Sequence, residues 1–301
     1  MNISKSFPNE TAFPGADFRK QFREALVARS PHCSVMRVGR SLLGEDIELY
    51  HLGRGARRVF YAGAHHGAEG LTANIMYAFL RALAEREARG GRLFGKDVRF
   101  LLKKYSFFVI PLVNPDGVAM SAGEAKESIL TRRQLKMNGG ADFRGWSANA
   151  RGVDLNHNYD AGFYEYKKIE WQSAVAPGRG KYSGEFPESE PESRAVAAAV
   201  RAIAPMLVLS LHSQGREVFY SPRNKRTERL AARAARLVGY EPKTPSGTAA
   251  YGGLSDYTGA RLGIPSLTVE MGKGENPLPE REYFAHRDRL INMLALLPTL
   301  V

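Results

Sequence analysis

Apolar and polar positions along the chain fall into blocks that read in turn as strands and helices. Residues 34–38 and 47–52 read as strands joined by a turn at Gly44, and a third β-prone run covers 58–64. Leu71, Ile75, Phe79 and Leu83 then recur at helical spacing, which predicts a helix over 71–89, stopped by Gly90-Gly91. Residues 105–113 form a nearly continuous apolar run, as expected of a strand covered on both faces. From 114 to 188 the periodicity is poor, and Gly, Asn, Asp, Ser and Arg are abundant; so long an irregular stretch inside a domain marks a functional region.

Ser189-Glu190-Pro191-Glu192 then fits a capping box with proline in the first turn, opening an Ala-rich helix to about Ala204. Residues 206–212 read as a buried strand, 226–238 as a helix, 266–271 as a strand and 280–297 as a last helix. Strands alternating with helices favour a largely parallel sheet covered on both faces, an α/β class.

Composition narrows this little. The 301 residues suffice for one large α/β domain or two small ones. With no shift in composition along the chain, we expect a single catalytic domain over 1–301. Residues 1–30 would be an N-terminal extension packed on it, and 114–188 the irregular active-site region. A lone Cys33 rules out an internal disulfide. The N-terminus lacks the apolar core of a secretory signal and no run reaches membrane-spanning length, so a soluble, cytoplasmic protein without a membrane partner is expected. The net charge of +12 raises nucleic acid as a partner, but the basic residues are dispersed and no nucleic-acid motif accompanies them. A field that attracts an acidic substrate explains the balance as well, and so does ordinary surface. Oligomeric state is left open.

The chemistry concentrates where the third strand ends. His66 and Glu69 stand three residues apart in the turn before the first helix, close enough to converge on one ion. Zinc accepts such a pair plus one further nitrogen and keeps a position open for water. His212, at the end of another apolar strand, is the best third ligand. His32, His51 and His286 lie in ordinary surroundings, and His65 points away from its neighbour's target. His157 and Asp160 could pair on a second metal but lack a third group. Glu270 is a carboxylate at the end of an otherwise apolar strand, where a charge without a partner or a purpose is costly.

Taken in order, His66-Gly67-Ala68-Glu69, Asn114-Pro115-Asp116-Gly117, Gly152-Val153-Asp154-Leu155-Asn156, Ser210-Leu211-His212-Ser213 and Thr268-Val269-Glu270 resemble the zinc carboxypeptidase family from about residue 35 onward. The resemblance implies a single-domain α/β/α sandwich on a mixed, mostly parallel twisted sheet. It also implies one zinc ion per chain on His66, Glu69 and His212, and Glu270 as general base and later acid. An arginine near the metal should stabilise the oxyanion, with Arg151 the choice and Arg144 the alternative.

Where typical family carboxypeptidases have Asn-Arg, this chain has Asn156-His157, and an imidazole cannot make the bidentate fork that grips a terminal carboxylate. The segments 148–160, 184–192 and 270–279 instead resemble the γ-D-glutamyl-meso-diaminopimelate peptidase branch, whose substrates are acidic wall peptides. Asn156, His157, Ser213, Gln214, Arg216 and Tyr251 are the expected substrate contacts, with Tyr251 and Gly252-Gly253 in a mobile loop over the site. Rival readings are a carboxypeptidase using another cation, an amide hydrolase acting on small acylated amino acids, and a catalytically silent module that binds wall peptides.

Overall fold

The computed structural model of the chain describes residues 6–125, 131–221 and 225–301, Lys225 by its backbone alone. Residues 126–130 of the expected irregular region, and 1–5 of the expected extension, lie outside the described residues. The strands are β1 (Cys33–Arg40), β2 (Asp46–Gly53), β3 (Arg57–Gly63), β4 (Arg92–Leu93), β5 (Lys96–Asp97), β6 (Tyr105–Ile110), β7 (Leu207–Ser213), β8 (Glu217–Tyr220), β9 (Glu241–Lys243) and β10 (Ser266–Met271). The helices are α1 (Ala16–Arg29), α2 (Gly70–Arg89), α3 (Val98–Lys104), α4 (Pro115–Ala122), α5 (Arg132–Asn138) and α6 (Phe163–Gln172), then α7 (Pro191–Ile203), α8 (Lys225–Val238), α9 (Leu254–Leu262) and α10 (Glu280–Leu296).

Eight strands form one sheet in the order β1-β2-β6-β3-β7-β10-β8-β9. The central four, β6, β3, β7 and β10, run parallel, whereas β2 joins β6 and β8 joins β10 antiparallel. Successive side chains of a strand point to opposite faces, so a strand covered on both sides feeds two cores. In β3, Val59 and Tyr61 enter a core shared with α1, α2, α8 and α10, while Phe60 and Ala62 enter a second one shared with α7 and α9. The sheet is therefore layered between helices, as the family resemblance implies. No helix among the described residues is long and apolar enough to cross a membrane.

Several elements depart from the sequence reading. Within the first thirty residues, read from sequence only as an extension packed on the domain, Phe18, Phe22 and Leu26 recur every fourth residue and seat a helix, α1, in the main core. The region expected to be irregular contains α4, α5 and α6, each ten residues or shorter, too short for a periodic signal to stand out. The capping box at Ser189–Glu192 does not form: the N-cap of α7 is Glu190, without a side-chain cap bond, and Ser189 Oγ instead donates to Glu190 Oε1 at 2.9 Å.

Candidate metal centre

Strand β7 is buried along its whole length, and its alternation sorts chemistry from packing. Leu207, Leu209 and Leu211 point into the main core, which leaves Ser210 and His212 on the opposite face. On the parallel neighbour β10, Leu267, Val269 and Met271 take the same core, and Glu270 stands in register with His212. The two expected catalytic side chains thus project from adjacent strands on one face at their carboxyl ends, where open α/β sheets hold ligands.

The turn after β3 brings His66 and Glu69 to the same place. It is held from behind by Asn114, the N-cap of α4, whose Nδ2 donates to His65 O at 3.0 Å and Ala148 O at 3.1 Å. Gly67 packs so closely that an added Cβ would lie 2.4 Å from Gly117 O and 2.5 Å from Trp146 O. Only glycine lets the turn approach this deeply, which explains the residue between His66 and Glu69.

His66 Nδ1 lies 2.8 Å from Glu69 Oε1, and His212 Nδ1 lies 3.1 Å from Glu69 Oε2. One donor atom from each of the three lies within 4.8 Å of the others. Two imidazole nitrogens and a carboxylate are the donor set of a catalytic zinc site, and both rings turn Nδ1 toward the carboxylate. Their far nitrogens are fixed: His66 Nε2 by Asp154 Oδ1 at 3.1 Å, and His212 Nε2 by Ser210 Oγ at 2.9 Å. Such outer bonds set ring orientation and tautomer in metal sites. The residues present therefore fit zinc.

The electrostatics agree. Burial pushes Glu69 up, but the attraction of His66 and His212 outweighs it and holds the carboxyl down at about 2. Burial likewise opposes ionisation of Asp154, yet the attraction of the neighbouring His66 and His157 rings and the His66 hydrogen bond keep it below the usual carboxylate range. At Glu270 the balance falls the other way: burial, and then the Glu69 carboxylate, push it well above its ordinary value against the attraction of His66. His65 is completely buried and shifted down by burial and by its neighbours His212 and His66, so it is neutral. It accepts from Ser210 Oγ at Nδ1, 3.4 Å away, and meets Tyr159 OH at 3.0 Å through Nε2. It therefore backs the site and does not point into it.

The remaining expected residues divide. Asn156 Oδ1 accepts from Leu254 N at 3.2 Å, and His157 Nδ1 meets Tyr251 O at 2.8 Å. Tyr159 N and Gly252 N add backbone bonds, to Gly252 O and Ala161 O, so the 251–254 turn is stitched to 156–161. Ser213 Oγ donates to Asn276 Oδ1 at 2.9 Å, and Asn276 Nδ2 reaches Glu69 Oε1 at 3.4 Å. Gln214 is exposed, and Arg216 turns to Glu282 at 3.5 Å.

Arg151 is not brought to the metal group. It lies 3.6 Å from Glu190 and lines a cavity of about 170 Å³ with Leu42, Leu43, Thr131, Arg133, Gln134 and Ala150. Arg144 pairs with Asp142 on the surface. The second metal pair does not form either, since Asp160 is taken by Arg261 at 2.8 Å.

Asp154, Ser210 and Asn276 are the residues that sequence reasoning left without a role. Ser210 carried a signal, since it shares a strand face with His212 two residues on. Asp154 carried a weaker one, as a charge inside an otherwise apolar motif.

A three-donor metal group at the carboxyl edge of a layered, mostly parallel sheet, with a carboxylate one strand away, defines a zinc-hydrolase type of site. The chain belongs to the zinc carboxypeptidase family, whose pattern matches residues 20–293. It is 29% identical over 251 residues to gamma-D-glutamyl-L-diamino acid endopeptidase 1 of Lysinibacillus sphaericus, a match covering 82% of this chain and 62% of that one. The chain thus spans about three-fifths of that relative's length. Its fold is similar to that of bovine thrombin-activatable fibrinolysis inhibitor, solved with a tick carboxypeptidase inhibitor. There the TM-score is 0.74 at 19% identity, covering 99% of this chain and 98% of the other. The murein-tripeptide amidase of Escherichia coli O157 is similar at a TM-score of 0.53 and 21% identity, over 88% of this chain and 92% of that one.

Proposed function

We propose that this protein is a zinc-dependent peptidase that hydrolyses an amide bond of bacterial cell-wall peptides, the bond between the γ-carboxyl of D-glutamate and diaminopimelate. The observation that carries the reading is the convergence of His66, Glu69 and His212 with Glu270 in register beside His212. Zinc held by the three ligands supplies Lewis acidity toward a carbonyl and toward water. Glu270 removes a proton from the attacking water and returns it to the leaving amine nitrogen. Asp154 and Ser210 keep the two imidazoles turned toward the ion.

The choice of bond is supported by what stands at position 157. His157 offers no bidentate cation for a terminal carboxylate, and its Nδ1 is spent on Tyr251 O. The similarity to an endopeptidase named for γ-D-glutamyl-L-diamino acid bonds points the same way. The excess of 43 basic over 31 acidic residues suits a substrate that carries several carboxylates.

The test is to incubate the protein with diaminopimelate-containing wall peptides and with ordinary C-terminal L-amino-acid peptides, with and without chelator, and to identify the products by mass spectrometry. Chelator-sensitive cleavage on the carbonyl side of diaminopimelate's bond to D-glutamate is expected. Release of C-terminal residues alone would establish a carboxypeptidase instead, and binding without cleavage a silent module.

A further inference from the structure

One imidazole next to the metal group is engaged on one side only. His157 ends the short turn Leu155–His157 that Asp154 caps, so it follows closely on the carboxylate that holds His66. Its ring lies flat against Tyr166, centroids 4.0 Å apart and planes 9° from parallel. Nδ1 sits 2.8 Å from Tyr251 O. A carbonyl oxygen only accepts, so Nδ1 carries a proton, and a ring holding that single proton presents a lone pair at Nε2. No described group bonds that nitrogen, and it is not among the buried atoms without a partner, so water reaches it. An acceptor is thus held at fixed orientation on a half-buried ring beside the catalytic group.

The geometry points to His157 as a specificity residue that accepts a hydrogen bond from a substrate ammonium. Under the amide-hydrolysis reading, on which this inference rests, that ammonium is the free amino group at the distal end of the diamino acid. A carboxylate would meet the exposed lone pair with another lone pair, so an N–H donor is what fits. A charged donor fits better than a backbone amide because the Asp154 carboxylate lies within electrostatic reach of the same ring. The position therefore selects a nitrogen where a carboxypeptidase needs a carboxylate.

The test compares two peptides with two variants. One peptide carries γ-D-glutamyl-diaminopimelate, and the other has the distal amino group replaced by hydrogen. His157→Asn keeps an amide N–H for Tyr251 O but loses the outward acceptor. His157→Gln keeps an acceptor at the outer position. Replacing the amino group is expected to lower kcat/KM of the wild type by about tenfold to a hundredfold, the loss of one hydrogen bond to a charged group. The Asn variant should lose a similar factor on the diaminopimelate peptide and stop distinguishing the two, whereas the Gln variant should still distinguish them.

Equal cleavage of both peptides by the wild type overturns the inference and leaves the hydrolase reading standing. So does an Asn variant, melting like the wild type, that still discriminates. Cleavage of neither peptide by the zinc-loaded wild type sinks the hydrolase reading and this inference with it. If the peptide without its amino group regains full His157-dependent turnover once its chain is extended by one residue, the donor is a backbone amide and the ammonium assignment is wrong. A ¹⁵N spectrum showing the proton of neutral His157 on Nε2 would also overturn it.

Discussion

Asp154→Asn separates ligand orientation from mere packing at the metal group. The Asp154 side chain accepts from His66 Nε2 at 3.1 Å, from the Asn156 backbone N at 3.1 Å and from the Lys181 backbone N at 3.0 Å. Asparagine keeps one oxygen. Left on the His66 side it still serves His66 and Asn156, but its NH₂ then faces the Lys181 N–H donor to donor. Turned round, it faces His66 that way instead. In the better arrangement the bond to His66 loses its charge, a change from about 1.5–3 to about 1 kcal/mol. The difference of about 0.5–2 kcal/mol corresponds to roughly 2- to 30-fold weaker zinc binding, which overlaps the roughly 10- to 100-fold that outer partners of metal-bound histidines contribute.

The buried donor pair costs about 1–3 kcal/mol of stability whether or not zinc is present. Competition with a chromophoric chelator measures the first quantity, and thermal melts of the zinc-free protein the second. A variant that melts lower without zinc yet binds zinc within twofold of the wild type would show that Asp154 braces the fold and does not tune His66.

Three further expectations follow from the same geometry. Glu270→Gln should retain zinc and lose turnover, while His66→Ala should lose both; chelator competition beside product analysis distinguishes them, and an active Gln variant removes Glu270 from the mechanism. Gly67→Ala forces a methyl against two backbone carbonyls, so it should destabilise the protein by about 1–3 kcal/mol and weaken zinc binding with it, as urea unfolding and chelator competition would show. Glu192 is completely buried, and burial pushes its carboxyl up to about 7. A folded-state value above the unfolded one contributes stability below about pH 4.5 that is lost as pH rises through 7, up to about 3 kcal/mol. The fall in unfolding free energy from pH 5 to 8 should therefore be steeper in the wild type than in Glu192→Gln, and equal slopes would exclude the assignment.

What the sequence made legible were features carried by neighbours along the chain. His66 and Glu69 share one turn, and the alternation of β7 and β10 announced side chains set apart from the core, so the metal group could be assembled before any coordinates. Asp154 and Asn276 escaped because their partners lie 88 and 207 residues away, and nothing local distinguishes a carboxylate that orients a ligand from one that caps a turn. Arg151 shows the opposite case. It sits beside a strong motif, yet its guanidinium turns toward Glu190, whose near-complete burial the chain pattern does not reveal. Helix α1 was readable from Phe18, Phe22 and Leu26, whereas α4, α5 and α6 are too short for apolar spacing to speak.

The pairing of Glu270 with His212 has a consequence for how such a protein diversifies. Adjacent strands of a sheet stand about 4.8 Å apart wherever they occur, so the backbone ladder itself acts as a ruler between the proposed proton carrier and one ligand. Exposed positions beyond that edge, at 214 and 273–275, can be exchanged without resetting the ruler. Grafting these surface positions from relatives with other preferences should redirect which bond is cut while leaving the hydrolytic apparatus in tune.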